Sequence, residues 1–178
     1  VPRVSVSSSV RTPIRPRADV EFLWEKLLEG RIDWVCSDHA CCKHEMKVDK
    51  RKPGNIWLAK SGFGGTEYLL AALVSEGRKR GLTWNQMAAL TSYNAARRFG
   101  LHSKGDIAEG LDADLALLDP DETWTVRAAD SESQQGYTPF EGLELSGRVK
   151  TTFLRGQRIY DGGQIVGKAI GRYLSRPY

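Results

Sequence analysis

Residues 33–42, DWVCSDHACC, put an apolar run, a carboxylate, a histidine and two cysteines into ten positions. What precedes them decides how they are read. Val20, Leu23, Trp24, Leu27 and Leu28 recur at the spacing of an amphipathic helix that starts near Asp19, and Gly30 is placed to end it. Residues Ile32 to Cys36 then read as a short, largely buried strand, with Cys36 packed as a small apolar group. A helix, a glycine turn, an apolar strand and polar residues at the strand's C-terminal end make one αβ step of a parallel sheet or barrel. In such folds ligands bind beyond the carboxyl ends of the strands. Asp38 stands at that end and is the first candidate for chemistry.

Working outward, residues 43–60 are basic, lack a clean period and contain Pro53 and Gly54, as expected of a long connection that walls or covers a site. The segment SGFGG, residues 61–65, leads into an apolar helix expected from Thr66 to Arg80 and stopped by Gly81. Glycine-rich backbone at a helix start can offer N–H groups to an anion or a carbonyl; it can equally be a flexible entry turn. Thr83 and Gln86 have capping-box spacing and open a helix running to about Phe99. Beyond residue 101 the character changes. Residues 104–121, KGDIAEGLDADLALLDPD, are turn-rich with a strand at Leu115–Leu118. Residues 148–166 alternate as a β-hairpin about Gly156, and the polar residues 127–138 read as a surface loop.

Composition narrows the class. The chain has 178 residues, 40% of them hydrophobic, enough for a packed core. No apolar run approaches the roughly 18 residues that a membrane span needs, and no secretory h-region opens the chain. The net charge of +4 resides in Arg3, Arg11, Arg15 and Arg17, which no acid accompanies; the rest of the chain is balanced. Without a basic stripe interleaved with aromatics, nucleic acid is not an expected partner, and neither is a membrane. Three cysteines, two of them adjacent, make a poor disulfide framework, so a reducing, cytoplasmic compartment is expected.

The residue types around Asp38 leave three chemistries open. A serine hydrolase needs a nucleophile elbow, and Ser37 is not in one. A thiol enzyme could use Cys41 or Cys42 with His39 or His44, partners that only a fold can bring together. A metal site suits Asp and His, yet His39, His44 and His102 show neither H-x-H nor H-E-x-x-H spacing.

The motif SDHACC, residues 37–42, resembles the strand-eight signature of the cyclic amidohydrolases, the group of allantoinase, hydantoinase/dihydropyrimidinase and dihydroorotase. TPIRPRADVEFLWEKL, residues 12–27, is similar to the segment that precedes that strand. Residues 104–121 resemble the lead-in to the family's C-terminal β section, and YTPFEGLELSGRVKTTFLRGQRIYD, residues 137–161, its closing segment. The resemblance implies an α/β chain comprising the C-terminal portion of a (β/α)8 barrel, residues 1–101, followed by part of a small β-sandwich, residues 102–178. It also implies metal-dependent hydrolysis of a cyclic amide at a site with two divalent ions, zinc by expectation. Asp38 would be both metal ligand and general base.

The family's H-x-H, bridging lysine and later histidines have no counterparts in these residues. The chain is therefore expected to be the C-terminal part of a longer enzyme, most ligands lying upstream of Val1 and the piece alone being inactive. Among members, Cys42 and the following Glu45-Met46-Lys47 resemble allantoinases. The substrate-contact candidates are His39, Cys42, Ser61 and Gly62, the last two because SGFGG aligns with a segment that offers backbone groups to the substrate ring. His44 and His102 match no ligand. Ala95 stands where relatives commonly have proline, and Cys41 where proline is frequent. A small cyclic amide is the expected partner, and self-association into a homo-oligomer is expected by analogy. Hydantoinase or dihydroorotase activity, or a non-catalytic assembly protein of the same fold, are the alternatives.

Overall fold

A computed structural model describes residues 15–47 and 55–176. Arg3, Arg11, the start of the residue 12–27 motif, and Pro53 and Gly54 lie outside the described residues. The elements are α1 (Arg17–Leu28), α2 (His44–Lys47), α3 (Leu69–Lys79), α4 (Trp84–Ala88), α5 (Asn94–Arg98), β1 (Leu115–Thr125), β2 (Glu144–Leu154), β3 (Gln157–Asp161) and β4 (Gln164–Ile165). No helix among the described residues is long and apolar enough to cross a membrane. The described residues form two compact units, one of residues 15–29, 36–47, 55–69 and 125–144, the other of residues 30–35, 70–124 and 145–176.

The second unit is organised by a four-stranded sheet in the order β1-β2-β3-β4, with β2–β3 and β3–β4 antiparallel. The expected hairpin is present. Leu154 faces Gln157 across Arg155 and Gly156, whose φ values of 47° and 75° make a two-residue turn of the kind whose twist matches the strands. Beside the sheet, the Ser75 hydroxyl accepts the Ser146 N–H at 3.1 Å, and Arg78 donates to the Pro120 carbonyl at 2.7 Å. Gly147 is a point of close approach: a Cβ there would lie 2.7 Å from Val74 Cγ1. At the turn after Leu101, Lys104 pairs with Asp112 and Asp114, and Asp114 also accepts the Arg155 N–H at 2.8 Å, tying the turn-rich segment to the hairpin.

The capping box forms as expected. The Thr83 hydroxyl accepts the Gln86 N–H and the Gln86 side chain accepts the Thr83 N–H. The helix it opens is interrupted, however, by a π-helical turn over Ala89–Tyr93. There the Asn94 N–H reaches back to the Ala89 carbonyl, and the Leu90 carbonyl accepts the Val35 N–H at 3.0 Å. The Asn94 side chain donates to the Asp33 carbonyl at 2.7 Å, and Trp34 packs edge-on against Phe99. Residues 33–35 are thus fastened to this helix.

Three expectations are corrected. Residues 32–36 are not a strand: residues 31–43 carry no regular structure, because a strand is defined by a ladder and the described residues give this stretch no strand neighbour. Cys36 is exposed, not packed. The helix α1 forms, but of its apolar stripe only Leu27 is buried while Leu23 is 54% exposed, since helical periodicity decides which residues share a face and not whether anything covers it.

Candidate functional site

The site candidates gather in the first unit, where the turn at residues 37–42 meets the glycine-rich loop. Asp38 has a φ of 45°, a left-handed conformation that short polar side chains tolerate and most others resist. The next residues are held on the loop. The Ala40 N–H donates to the Phe63 carbonyl at 2.7 Å, and the Ser37 and Thr66 hydroxyls bond at 3.0 Å. His39 Nδ1 accepts the Gly65 and Thr66 N–H groups at 3.2 and 3.4 Å. An Nδ1 that accepts leaves the imidazole proton on Nε2, a donor on an exposed ring. Gly62, with φ 117°, lies so close to Ala40 that any Cβ would overlap the Ala40 methyl.

Asp38 and His39 are exposed, as is Ser61, whereas Gly62 is buried and Cys42 is only 5% exposed. Among the described residues the Asp38 carboxylate enters no hydrogen bond or ion pair, and neither do the backbone groups of Ser61 and Gly62. The loop's N–H groups have therefore divided: those of residues 64–66 are spent inside the protein and those of residues 61 and 62 are not. His44 is an exposed side chain in edge contact with Tyr137. His102 is exposed as well.

Several residues at this site were not foreseen. The loop 127–138 was expected to be a surface loop, yet Gln135 is 4% exposed, its Oε1 accepting the Gly64 N–H at 2.7 Å and its Nε2 donating to the Tyr137 carbonyl at 2.5 Å. Ser131 donates to Glu67 at 2.6 Å, and Ser133 to Cys41 Sγ at 3.6 Å. Lys47 is wholly buried, its ammonium 4.7 Å from the centre of the Phe63 ring and 5.9 Å from that of Tyr137, and it donates to the Lys60 carbonyl at 3.4 Å. Burial holds the Lys47 ammonium below the usual lysine range, with the Cys42 thiol opposing that shift. Burial, followed by the Cys42 and Cys41 thiols, pushes the Tyr137 phenol up to about 12, and its hydroxyl is buried without a hydrogen-bond partner among the described residues. No local pattern separates a buried Gln, Lys or Tyr from a solvated one; only the proximity of residues far apart in sequence does.

As a metal site the described residues do not suffice. No three His, Cys, Asp or Glu side chains gather among them to hold a cation. The arrangement does supply an exposed, unpaired carboxylate, an imidazole N–H beside it in sequence, and two free backbone N–H groups on an adjoining loop. Together these can take up a proton and hold a polar ring.

The amidohydrolase family model matches residues 5–159. The allantoinase of Rubrobacter xylanophilus is 40% identical over 173 residues, covering 97% of this chain and 37% of that relative. The allantoinase of Deinococcus radiodurans is 37% identical over 175 residues, covering 98% of this chain and 38% of its own. Among solved structures, the D-hydantoinase (dihydropyrimidinase) from Thermus sp. superposes with a TM-score of 0.85 at 31% identity, covering 92% of this chain and 36% of that one. For the L-hydantoinase (dihydropyrimidinase) from Arthrobacter aurescens the TM-score is 0.82 at 30% identity, with 90% and 36% covered. The chain thus spans less than two-fifths of the length of the relatives it matches. The family match extends over most of the chain, and the relatives agree with it: the chain belongs to the amidohydrolase family.

Proposed function

We propose that the enzyme containing these residues opens a small cyclic amide, a five-membered ureide or hydantoin ring, by hydrolysis. The observation that carries the reading is the Asp38 carboxylate, exposed and unpaired on a left-handed turn that is bonded to the glycine-rich loop. In this reading Asp38 takes the proton of the attacking water as its oxygen bonds to the ring carbonyl carbon. Asp38 then returns the proton to the ring nitrogen as the C–N bond breaks. The Ser61 and Gly62 backbone groups and the His39 Nε2–H hold the ring, and Cys42 shapes the wall behind it.

Amidohydrolases are generally dinuclear metal enzymes. We propose two divalent ions, zinc by expectation, with Asp38 the one ligand among these residues. The finer fold is proposed likewise: the end of a (β/α)8 barrel to residue 101, then part of a β-sandwich, in a cytoplasmic homo-oligomer. Allantoinase-like specificity is favoured by the relatives matched at 37–40% identity. The hydantoinase reading is second, favoured by the solved structures.

Asp38→Asn tests the central role in the full-length enzyme with allantoin as substrate. Asn accepts the left-handed conformation as readily as Asp, and the carboxylate has no partner among the described residues, so at saturating metal the thermal midpoint should move little. Removing the base should lower kcat by at least about 10². Near-normal turnover would remove Asp38 from the mechanism.

A further inference from the structure

We propose that Gln135 is a positioning residue for the active site, holding the glycine-rich loop in the one conformation that presents Ser61 and Gly62. The inference rests on the reading of the site given above. Three observations support it. The Gln135 amide is 4% exposed and uses both ends, accepting from Gly64 N–H at 2.7 Å and donating to the Tyr137 carbonyl at 2.5 Å. This fixes the orientation of the amide, because the reverse orientation would set donor against donor and acceptor against acceptor. Contact with the loop is close: a Cβ at Gly64 would lie 2.5 Å from Nε2 and 2.7 Å from Oε1, so the amide and the loop would have to move apart. Finally, the residues flanking Gly64 hold the turn. The Phe63 carbonyl accepts from Ala40, and the Gly65 and Thr66 N–H groups donate to His39.

A pull on Gly64 is thereby transmitted in both directions, to residues 61–62 on one side and to the His39 ring on the other. Without the amide, the Gly64 N–H is left buried with no acceptor, or the loop shifts to find one. In the first case the conformation loses its restraint, and in the second the Ser61 and Gly62 N–H groups and the His39 ring are displaced with the loop. The neighbouring bonds from Ser131 and Glu132 to Glu67 dock the same segment further along and do not substitute, since they fix the helix start and not the glycines. Gln135 touches no reacting atom, so its loss should act on substrate binding more than on the chemical step.

The test uses the full-length enzyme with Gln135→Met, which keeps length and approximate volume but removes both hydrogen bonds, and Gly64→Ala, which keeps the Gln135 amide but forces it and the loop apart. Expected for both are a fall in kcat/KM of at least about tenfold carried mainly by KM, equal to about 1.4 kcal/mol. Amide hydrogen exchange across residues 61–66 should accelerate at least about tenfold, with exchange in β2 and β3 unchanged. If either variant does not fold, the other is read alone. Kinetics within about twofold of wild type, unaltered exchange at 61–66, or a loss confined to kcat would overturn the inference. Wild-type enzyme inactive on every cyclic amide would instead refute the proposed function, and the exchange measurement would then still decide whether Gln135 holds the loop.

Discussion

Gly62→Ala puts the tightest contact of the site under load. Two costs add. A φ of 117° is denied to residues with a Cβ, a strain of about 1–3 kcal/mol. The new methyl also overlaps the Ala40 methyl and lies 3.3 Å from the Ala40 carbonyl oxygen, an overpacking cost of about 1–3 kcal/mol. The sum, about 2–6 kcal/mol, is a large part of the 5–15 kcal/mol that separates a typical folded domain from its unfolded state. The cheaper escape is local: residues 61–65 draw away from Ala40 and give up the 2.7 Å bond from Ala40 N–H to the Phe63 carbonyl, worth only about 0.5–1.5 kcal/mol. Gly30→Ala is the control, because Gly30 has φ 73° but nothing within 4 Å of a new Cβ, leaving only a backbone cost of about 1–2 kcal/mol. In the full-length enzyme, thermal unfolding and steady-state kinetics with allantoin should show a larger drop in midpoint for Gly62→Ala than for Gly30→Ala, and a rise in KM for Gly62→Ala alone. If the two variants match in both midpoint and KM, the loop does not pack on Ala40 as described.

Two further outcomes follow from buried groups beside the loop. Tyr137→Phe removes a hydroxyl buried without a partner among the described residues, so the variant should be at least as stable as wild type at pH 8. Because the folded phenol holds its proton up to about 12 and the unfolded one only to about 10, the unfolded chain binds fewer protons between those values, and Tyr137 makes stability fall as pH rises through that window; denaturation midpoints of the Phe variant should lack this component. Lys47 has the opposite sign. Its folded pKa is lowered, so the unfolded chain binds more protons between that lowered value and the ordinary one near 10.5, and stability rises with pH there. Lys47→Met should flatten this rise in a midpoint series from pH 7 to 10.5, and an unchanged slope would count against burial as the cause.

The residues of this chain differ in how far their neighbours along the chain decide their fate. Thr83 with Gln86, and Arg155 with Gly156, could be read from a few adjacent positions, because a cap and a two-residue hairpin close their hydrogen bonds within four residues. Membership of the family was legible for a different reason: the residue types and order of several segments resemble that family's, and the family match bears the membership out. Residues 32–36 were misread as a strand because a ladder needs a partner that no periodicity supplies. The stripe of α1 was likewise a statement about one face and not about its cover. Gln135 and Lys47 were invisible. A polar side chain enters an interior only where another segment brings it a matching donor, acceptor or aromatic face, and Gly64, Tyr137 and Phe63 are 71, 2 and 16 residues away along the chain from the groups they satisfy. Local order along the chain therefore settled the caps and the hairpin, while tertiary structure alone decided which polar groups are buried against the loop, since that depends on long-range pairs whose hydrogen bonds form only once the chain has folded.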